Sequence, residues 1–333
     1  MNPSLVKTQT RFFALLRLLV NGDFYSGPQL AQRLGISRAS VSNALQQAED
    51  YGLKLYRVRG RGYCLSNPPQ WLDAALIIHH LGHQARQFNL EIIDSASSTN
   101  TLLLQRAAQG APSGSVLAVE WQSGGRGRLG RAWHSSLGNA LTFSLLWRFE
   151  RGLSSLSGLS LAVGVALIRV LSALGIHSAQ LKWPNDVLGT SGKLAGILIE
   201  AQGDMLGPSA VVIGVGLNLF MPPALQSQID QPVSSVADMM DGKAMPKRNY
   251  LLALILLELQ KILHTFVAQG FSALRTEWES HHALQQQAVQ LLLPDGSSIE
   301  GVAQGTNQDG ALVLETTSGT HIFHAGEVSL RPR

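Results

Sequence analysis

The chain of 333 residues is poor in cysteine, in charge and in long apolar runs. Its one cysteine, Cys64, has no second thiol to pair with, which excludes a disulfide scaffold and a cysteine-rich zinc module. Charged side chains make up only 14% of the chain, against about 25% in an average domain. Hydrophobic residues reach 45%, which excludes a disordered chain. The uncharged apolar stretches Leu156–Ile168 and Leu251–Leu257 end at Arg169 and Glu258, short of the ~18–20 residues a bilayer span needs. Phe12–Val20 is interrupted by Arg17 and lacks a cleavage-like site, so it does not read as a signal peptide. A cytoplasmic, reducing setting without a membrane partner is the expectation. The length predicts two or three domains.

What charge there is lies unevenly. Residues 1–66 hold nine basic and three acidic side chains, a balance of +6. With +4 overall, the remaining residues sum to −2. A basic head on a near-neutral body suggests an appended nucleic-acid-binding module. Leu5, Phe12, Leu15, Leu16 and Leu19 recur at helical spacing. Ser26 and Gln29 form a capping-box pattern around Pro28, and the helix they begin ends at Gly35. Ser37 caps a second helix whose buried stripe is Val41, Leu45 and Ala48. Two short helices about a glycine turn are a helix-turn-helix pattern. Ser37, Arg38, Ser40, Asn43 and Gln47 fall on its other faces and suit base edges in the major groove. Leu53–Val58 alternates like a strand and returns through Gly60 and Gly62, a hairpin tipped by Arg57, Arg59 and Arg61. Such a wing reads as a phosphate contact. Asn67-Pro68-Pro69 marks the expected boundary of a domain spanning 1–66.

Further on, Leu90–Asp94 reads as a strand, Ser95–Asn100 as a polar loop, Leu102–Ala108 as a helix and Val116–Trp121 as a strand. Helices are expected over Trp71–Leu81, Leu156–Leu174, Leu251–Phe266 and Ala273–Leu284. Gly125, Gly127 and Gly130 match the dinucleotide fingerprint literally, but no helix follows them, which excludes that reading. Kinase catalytic motifs are also missing downstream. What stands is Arg126, Arg128 and Arg131 within six residues, on a loop whose glycines let backbone N–H groups approach an anion. Lys193 opens an apolar strand, an expensive place for a cation that has no partner or ligand. Gly196 inside the same strand predicts a close approach to its backbone. Val211–Asn218 is a further glycine-bearing core strand.

Three motifs occur in order: Gly125-Arg126-Gly127-Arg128-Leu129-Gly130-Arg131, Lys182-Trp183-Pro184-Asn185-Asp186 and Lys193-Leu194-Ala195-Gly196-Ile197-Leu198. Together they resemble the biotin–protein ligase family. With the N-terminal head, the chain resembles its bifunctional branch, in which a biotin ligase also represses the biotin operon. The resemblance implies an α/β (α+β) multidomain chain. Its parts are a winged helix-turn-helix over 1–66, a mixed-sheet catalytic domain over 67–270 like class II synthetases and lipoate ligases, and an SH3-like β-barrel over 271–333. The last fits short strands between the turn signals Asp295-Gly296, Asp309-Gly310 and Ser318-Gly319.

The resemblance further implies that biotin and Mg-ATP give biotinyl-5′-AMP. The biotin then passes to a lysine of the biotin carboxyl carrier domain of acetyl-CoA carboxylase. Adenylate binding promotes a homodimer on operator DNA of biotin biosynthesis genes. By resemblance Ser98, Thr99, Asn100, Gln122, Gly125, Arg126, Gly127, Arg128, Lys193 and Gly196 form the biotin site. Arg128, Arg131, Trp133, Asn185, Asp186, Lys193 and Asn218 form the nucleotide site. Lys193 and Arg128 carry the catalysis, and Mg2+ arrives with ATP, with Asp186 as its possible protein ligand. Leu129 stands where known relatives carry a basic residue, and Gln226–Asp241 lacks the tryptophan expected to order over adenine. Two other readings remain: a biotin-sensing repressor without transfer activity, and a lipoate-ligase relative.

Overall fold

The computed structural model describes residues 3–293, 295–325 and 329–332, with side chains from residue 9 onward except at 329; the side chain of Leu5 lies outside that set. The head comprises α1 (Pro3–Leu18), α2 (Gly27–Leu34), α3 (Arg38–Leu45) and the hairpin β1 (Leu55–Val58)–β2 (Gly62–Leu65). Its local signals act as read. Ser26 Oγ accepts from the Gln29 N–H while the Gln29 side chain accepts from the Ser26 N–H, and Gly35 ends α2 at φ 62°. Ser37 Oγ accepts from the Ser40 N–H at the start of α3. The helix ends at Leu45 rather than running through Ala48, and a 3-10 turn, Gln46–Tyr51, takes over. That tighter winding turns Tyr51 onto Phe12, with ring centroids 4.5 Å apart.

The body begins with α4 (Ala74–Leu81), β3 (Asn89–Ala96), α5 (Thr99–Ala108) and β4 (Ser115–Gln122). A two-residue hairpin pair, β5 (Gly125–Arg126) and β6 (Ala132–Trp133), leads to β7 (Ala140–Phe149) and α6 (Leu159–Ala173). Then come β8 (Gln180–Lys182), β9 (Asp186–Leu188), β10 (Lys193–Gly203) and β11 (Ser209–Asn218). Two single-turn helices, α7 (Pro223–Gln226) and α8 (Val236–Met239), precede α9 (Arg248–Gln269) and α10 (Arg275–Ser280). Seven strands make one sheet in the order β3-β4-β7-β11-β10-β9-β8. Only β3 and β4 are parallel, as the crossover through α5 requires. The last five strands, β12 (Ala288–Leu292), β13 (Ser298–Thr306), β14 (Leu312–Thr316), β15 (Gly319–Phe323) and β16 (Ser329–Pro332), form the antiparallel SH3-like sheet, ordered β15-β14-β13-β12-β16.

One face of the large sheet is buried by α6 and α9, and this core continues across position 270 into Val289, Leu291 and Leu312. On the other face α5 covers only the part near the β10–β11 turn, packing Leu103 and Ala107 on Leu146, Ala210 and Val212. The rest of that face, at the start of β10 and the end of β11, stays open. The functional cleft lies there.

Three sequence expectations change. The helix expected from Trp71 starts at Ala74, capped by Asp73, because residues 70–72 are engaged elsewhere. Gln70 accepts from Arg248, and the Leu72 N–H donates to Glu120 Oε1 at 2.6 Å. Glu120 and Arg248 form a buried ion pair at 2.7 Å, so the linker behind the head is pinned to β4 and α9. The helix expected over Ala273–Leu284 shrinks to α10, because His281 and Ala283 pair with the backbone of Leu181 and leave the helix. The segment 179–188 is the β8–β9 hairpin, turning at Trp183-Pro184-Asn185. Finally, Leu153–Ala173 and Arg248–Gln269 are long and apolar enough to cross a membrane by length and composition, which counting uninterrupted runs missed; both pack on the sheet.

The head is docked on the body. Tyr51 stacks 4.6 Å from Trp121, the Leu137 N–H donates to the Tyr51 carbonyl, and Arg17 pairs with Asp94 at 2.6 Å.

Candidate functional site

The open sheet face floors a cleft lined by Asn100, Gln122, Trp133, Lys193 and Gly216. Glycines make the floor low. A Cβ on Gly214 would collide with the Asn100 amide, and one on Gly216 with the Trp133 ring. At Gly196 the close neighbours are the Lys193 stem and the Trp133 ring, the approach expected for that strand glycine.

One end of the cleft is polar and preorganised by its own hydrogen bonds. Ser98 caps α5, and its loop places Thr99 and Asn100 against the sheet. Gln122 Oε1 accepts from the Thr99 N–H at 2.8 Å and from its hydroxyl at 3.1 Å. Ser144 Oγ lies 2.7 Å from Thr99 Oγ1 and 2.6 Å from Asn100 Oδ1. Asn100 Nδ2 donates to the Leu198 carbonyl and to Glu200 Oε2. All of Ser98, Thr99, Asn100 and Gln122 are buried, so their polar atoms hold fixed directions.

At the other end stands Lys193, its ammonium 2.7 Å from Asp186 and 5.8 Å from the Trp133 ring centroid. Its backbone is held from both sides: the N–H donates to Pro232, and the carbonyl accepts from Ser234 and from Asn218 Nδ2. Asn218, expected at the nucleotide, supports the Lys193 strand through its amide nitrogen. Its buried amide is committed to Lys193 and Ser234, and it lines neither half of the cleft.

The β5–β6 hairpin crosses above as a strap. Two of its glycines serve the strap's own packing. The Gly127 N–H closes the hairpin on Arg131 at 2.7 Å, and Gly125 packs against Trp133 and Gln122 outside the cleft lining. Leu129, at φ 58°, forms the tip and is half-exposed. Arg126 reaches Glu200 and Thr101. Arg128 reaches Asn185 at 3.4 Å and the Ala325 carbonyl at 2.6 Å. Beyond the strap the cleft widens into a second half lined by Arg128, Arg131, Trp133, Asn185, Asp186 and Lys193.

Two cations there had been given no role from sequence. Lys182 belongs to a quoted motif, whereas Arg331 arrives from the last strand and has no local signal. Burial pushes the Lys182 pKa below the ordinary lysine value. Asp186 offsets this in part, and Arg331, Lys193 and Arg131 add to it. Burial also lowers the Arg128 pKa, against the opposing pull of Asp186. Cations crowded around one carboxylate form a site for a polyanion. Among the described residues no group of three or more His, Cys, Asp or Glu side chains could hold a metal ion. Asp186 alone suits a Mg2+ ion whose other ligands are phosphates.

In the head, Arg38, Ser42, Arg57 and Arg59 line one groove between the start of α3 and the hairpin, with Ser26, Gly27 and Pro28 at its edge. Ser42 was not singled out from sequence. Ser37 and Ser40 face each other in the cap at 3.0 Å, and Arg61 stacks 4.0 Å over Phe24. Asn43 is exposed outside the groove, and Gln47 sits in the 3-10 turn rather than on α3.

A DNA-binding fold joined to a sheet whose cleft pairs a fixed polar end with a polyanion end defines a protein ligase of the biotin/lipoate type with a regulatory head. Family models agree: the biotin/lipoate A/B protein ligase family matches residues 92–218, an HTH domain 11–64 and the biotin protein ligase C-terminal domain 287–331. The bifunctional ligase/repressor BirA of Escherichia coli is 35% identical over 98% of this chain and 99% of its own. Its counterpart in Bacillus subtilis is 30% identical over 92% of this chain and 94% of its own. The structure of biotin protein ligase from Aquifex aeolicus in complex with biotin and ATP superposes with a TM-score of 0.63 at 26% identity, covering 74% of this chain and 99% of that one. The chain belongs to the biotin–protein ligase family, in its bifunctional ligase/repressor branch.

Proposed function

We propose that biotin lies with its ring system at Ser98, Thr99, Asn100 and Gln122 and its carboxylate toward Lys193, while ATP lies in the half lined by Arg128, Arg131, Lys182, Asn185 and Arg331. The observation that carries this reading is that Lys193 lines both halves, where the two substrates meet. A biotin carboxylate oxygen attacks the α-phosphorus, the bond to the bridging oxygen of the β-phosphate breaks, and pyrophosphate leaves. Lys193 and Arg128 offset the negative charge gathered there. Arg131, Lys182 and Arg331 hold the departing phosphates; Asp186 would hold Mg2+, which would add positive charge to neutralise them. Trp133 borders both halves and supplies the flat apolar surface for the nucleotide. The strap excludes water, which otherwise hydrolyses the mixed anhydride. The amine of a lysine on the carrier domain of acetyl-CoA carboxylase then attacks the acyl carbon, forming the amide and releasing AMP.

In the head, Arg38, Arg57, Arg59 and Arg61 hold phosphates of operator DNA and the start of α3 reads bases. Two heads are brought to half-sites by a homodimer that the adenylate favours. The protein works in the cytoplasm as three units, 1–66, 67–270 and 271–333. The test is incubation with biotin, Mg-ATP and carrier domain: mass spectrometry should find biotin on one carrier lysine, and an unmodified carrier overturns the assignment. Gel shifts with DNA upstream of biotin genes should need biotin plus ATP and weaken with salt.

A further inference from the structure

We infer that Glu200 is a positioning residue that fastens the strap over the biotin end of the cleft. No sequence signal marks it. It follows Gly196 and Leu198 by steps of two on β10, so it continues the cleft-facing row just past the open floor. Its carboxylate joins three elements. Arg126 of the strap donates to Oε1 at 2.9 Å and to Oε2 at 3.0 Å. Asn100 of α5 donates to Oε2 at 2.9 Å, and Arg126 in addition donates to the Thr101 hydroxyl at 2.9 Å. Glu200 therefore fixes the strap at one edge and the Asn100 amide at the other. Arg128 fastens the opposite end of the strap to Asn185 and Ala325. The consequence is directional. Loosening the Glu200 end frees the part of the strap above biotin, while the nucleotide half keeps its own fastening. The Arg126 side chain is 47% exposed and that of Glu200 24%, so the ion pair is a modest, salt-sensitive tie.

This inference rests on the proposed placement of biotin. The test uses the full-length protein and Glu200→Gln, which keeps an acceptor for Asn100 and removes the ion pair. Stopped-flow measurement should show biotin leaving about two- to fivefold faster, the yield expected of one partly exposed ion pair. The KM for Mg-ATP should be unchanged, and the difference from wild type should shrink in 1 M salt. Glu200→Asp, which keeps the charge but draws it back from Arg126, should fall between wild type and Glu200→Gln. It carries the test if Glu200→Gln does not fold. Wild-type biotin release in the variant that folds overturns the inference. So does an equal loss of biotin and ATP affinity that salt leaves alone, which marks a merely structural residue. Failure of the wild type to form adenylate refutes the site reading instead, independently of Glu200.

Discussion

Replacing Lys193 with methionine keeps the stem that packs on Gly196 and Trp133 and removes only the ammonium. The side chains of Lys193 and Asp186 are 18% and 21% exposed, so Asp186 regains water when its partner goes. The stability loss should be about 1–2 kcal/mol, between an exposed and a buried ion pair. Catalysis should suffer more. The ammonium lines both halves of the cleft, where a carboxylate and a phosphate must approach each other. Losing one preorganised group that stabilises transition-state charge costs about 3–4 kcal/mol, or roughly 10²–10³ in rate. The assay is biotin-dependent exchange of pyrophosphate into ATP, which reads the first half-reaction alone. Urea unfolding of the same sample separates stability from chemistry. Lys193→Arg should recover part of the rate. An exchange rate within threefold of wild type for Lys193→Met would refute the placement of the reacting centre.

Other outcomes follow from the same contacts. Gly216→Ala drives a Cβ into the Trp133 ring, so the ring must leave the floor; tryptophan fluorescence should shift and adenylate formation should fall at least tenfold, at the ~1–3 kcal/mol of overpacking. Because the Lys182 pKa is lowered, Mg-ATP affinity should begin to fall at a pH below the ordinary ~10.4 of lysine; calorimetry on Lys182→Met should show weaker binding without that limb. Burial lowers the His282 pKa, so the unfolded chain takes up the proton first. The stability contribution is full above the unfolded value of ~6.5 and is lost as pH falls through the folded value; His282→Gln should flatten that acid limb in urea titrations. Arg248→Met leaves Glu120 buried with only the Leu72 N–H, and unfolding free energy should drop by about 3–5 kcal/mol.

Much of the head was legible because its signals are local. The Ser26–Gln29 box, the Gly35 turn and the Ser37 cap each depend on residues within four positions. Two of the helix-boundary differences have a common cause. Trp71 and His281 carry sequences compatible with helix, yet each is drawn off by a distant backbone or side chain, Asn249 in one case and Leu181 in the other. In the cleft, Lys193, Arg128 and Trp133, all named through the resemblance, converge, but Asn218 and Gly125 lie outside its lining. Glu200 and Arg331 carry no motif, because their meaning comes only from strand pairing and from the last strand folding back.

From the chain of letters alone came the kinds of group available: a basic capped head, a strap of arginines, a strand-borne lysine and glycines too frequent for an ordinary core. Those follow from composition and short spacing, which govern turns, caps and periodicity. The fold alone decided which charges face one another, since that depends on contacts between residues dozens to hundreds of positions apart. Arg126 is fastened by Glu200, 74 residues away. Arg128 meets Ala325 across 197, and Arg248 closes on Glu120 across 128. Desolvation and charge pairing act through space, so the division of one cleft into a polar half and a cationic half was settled only when the sheet and its last strand came together.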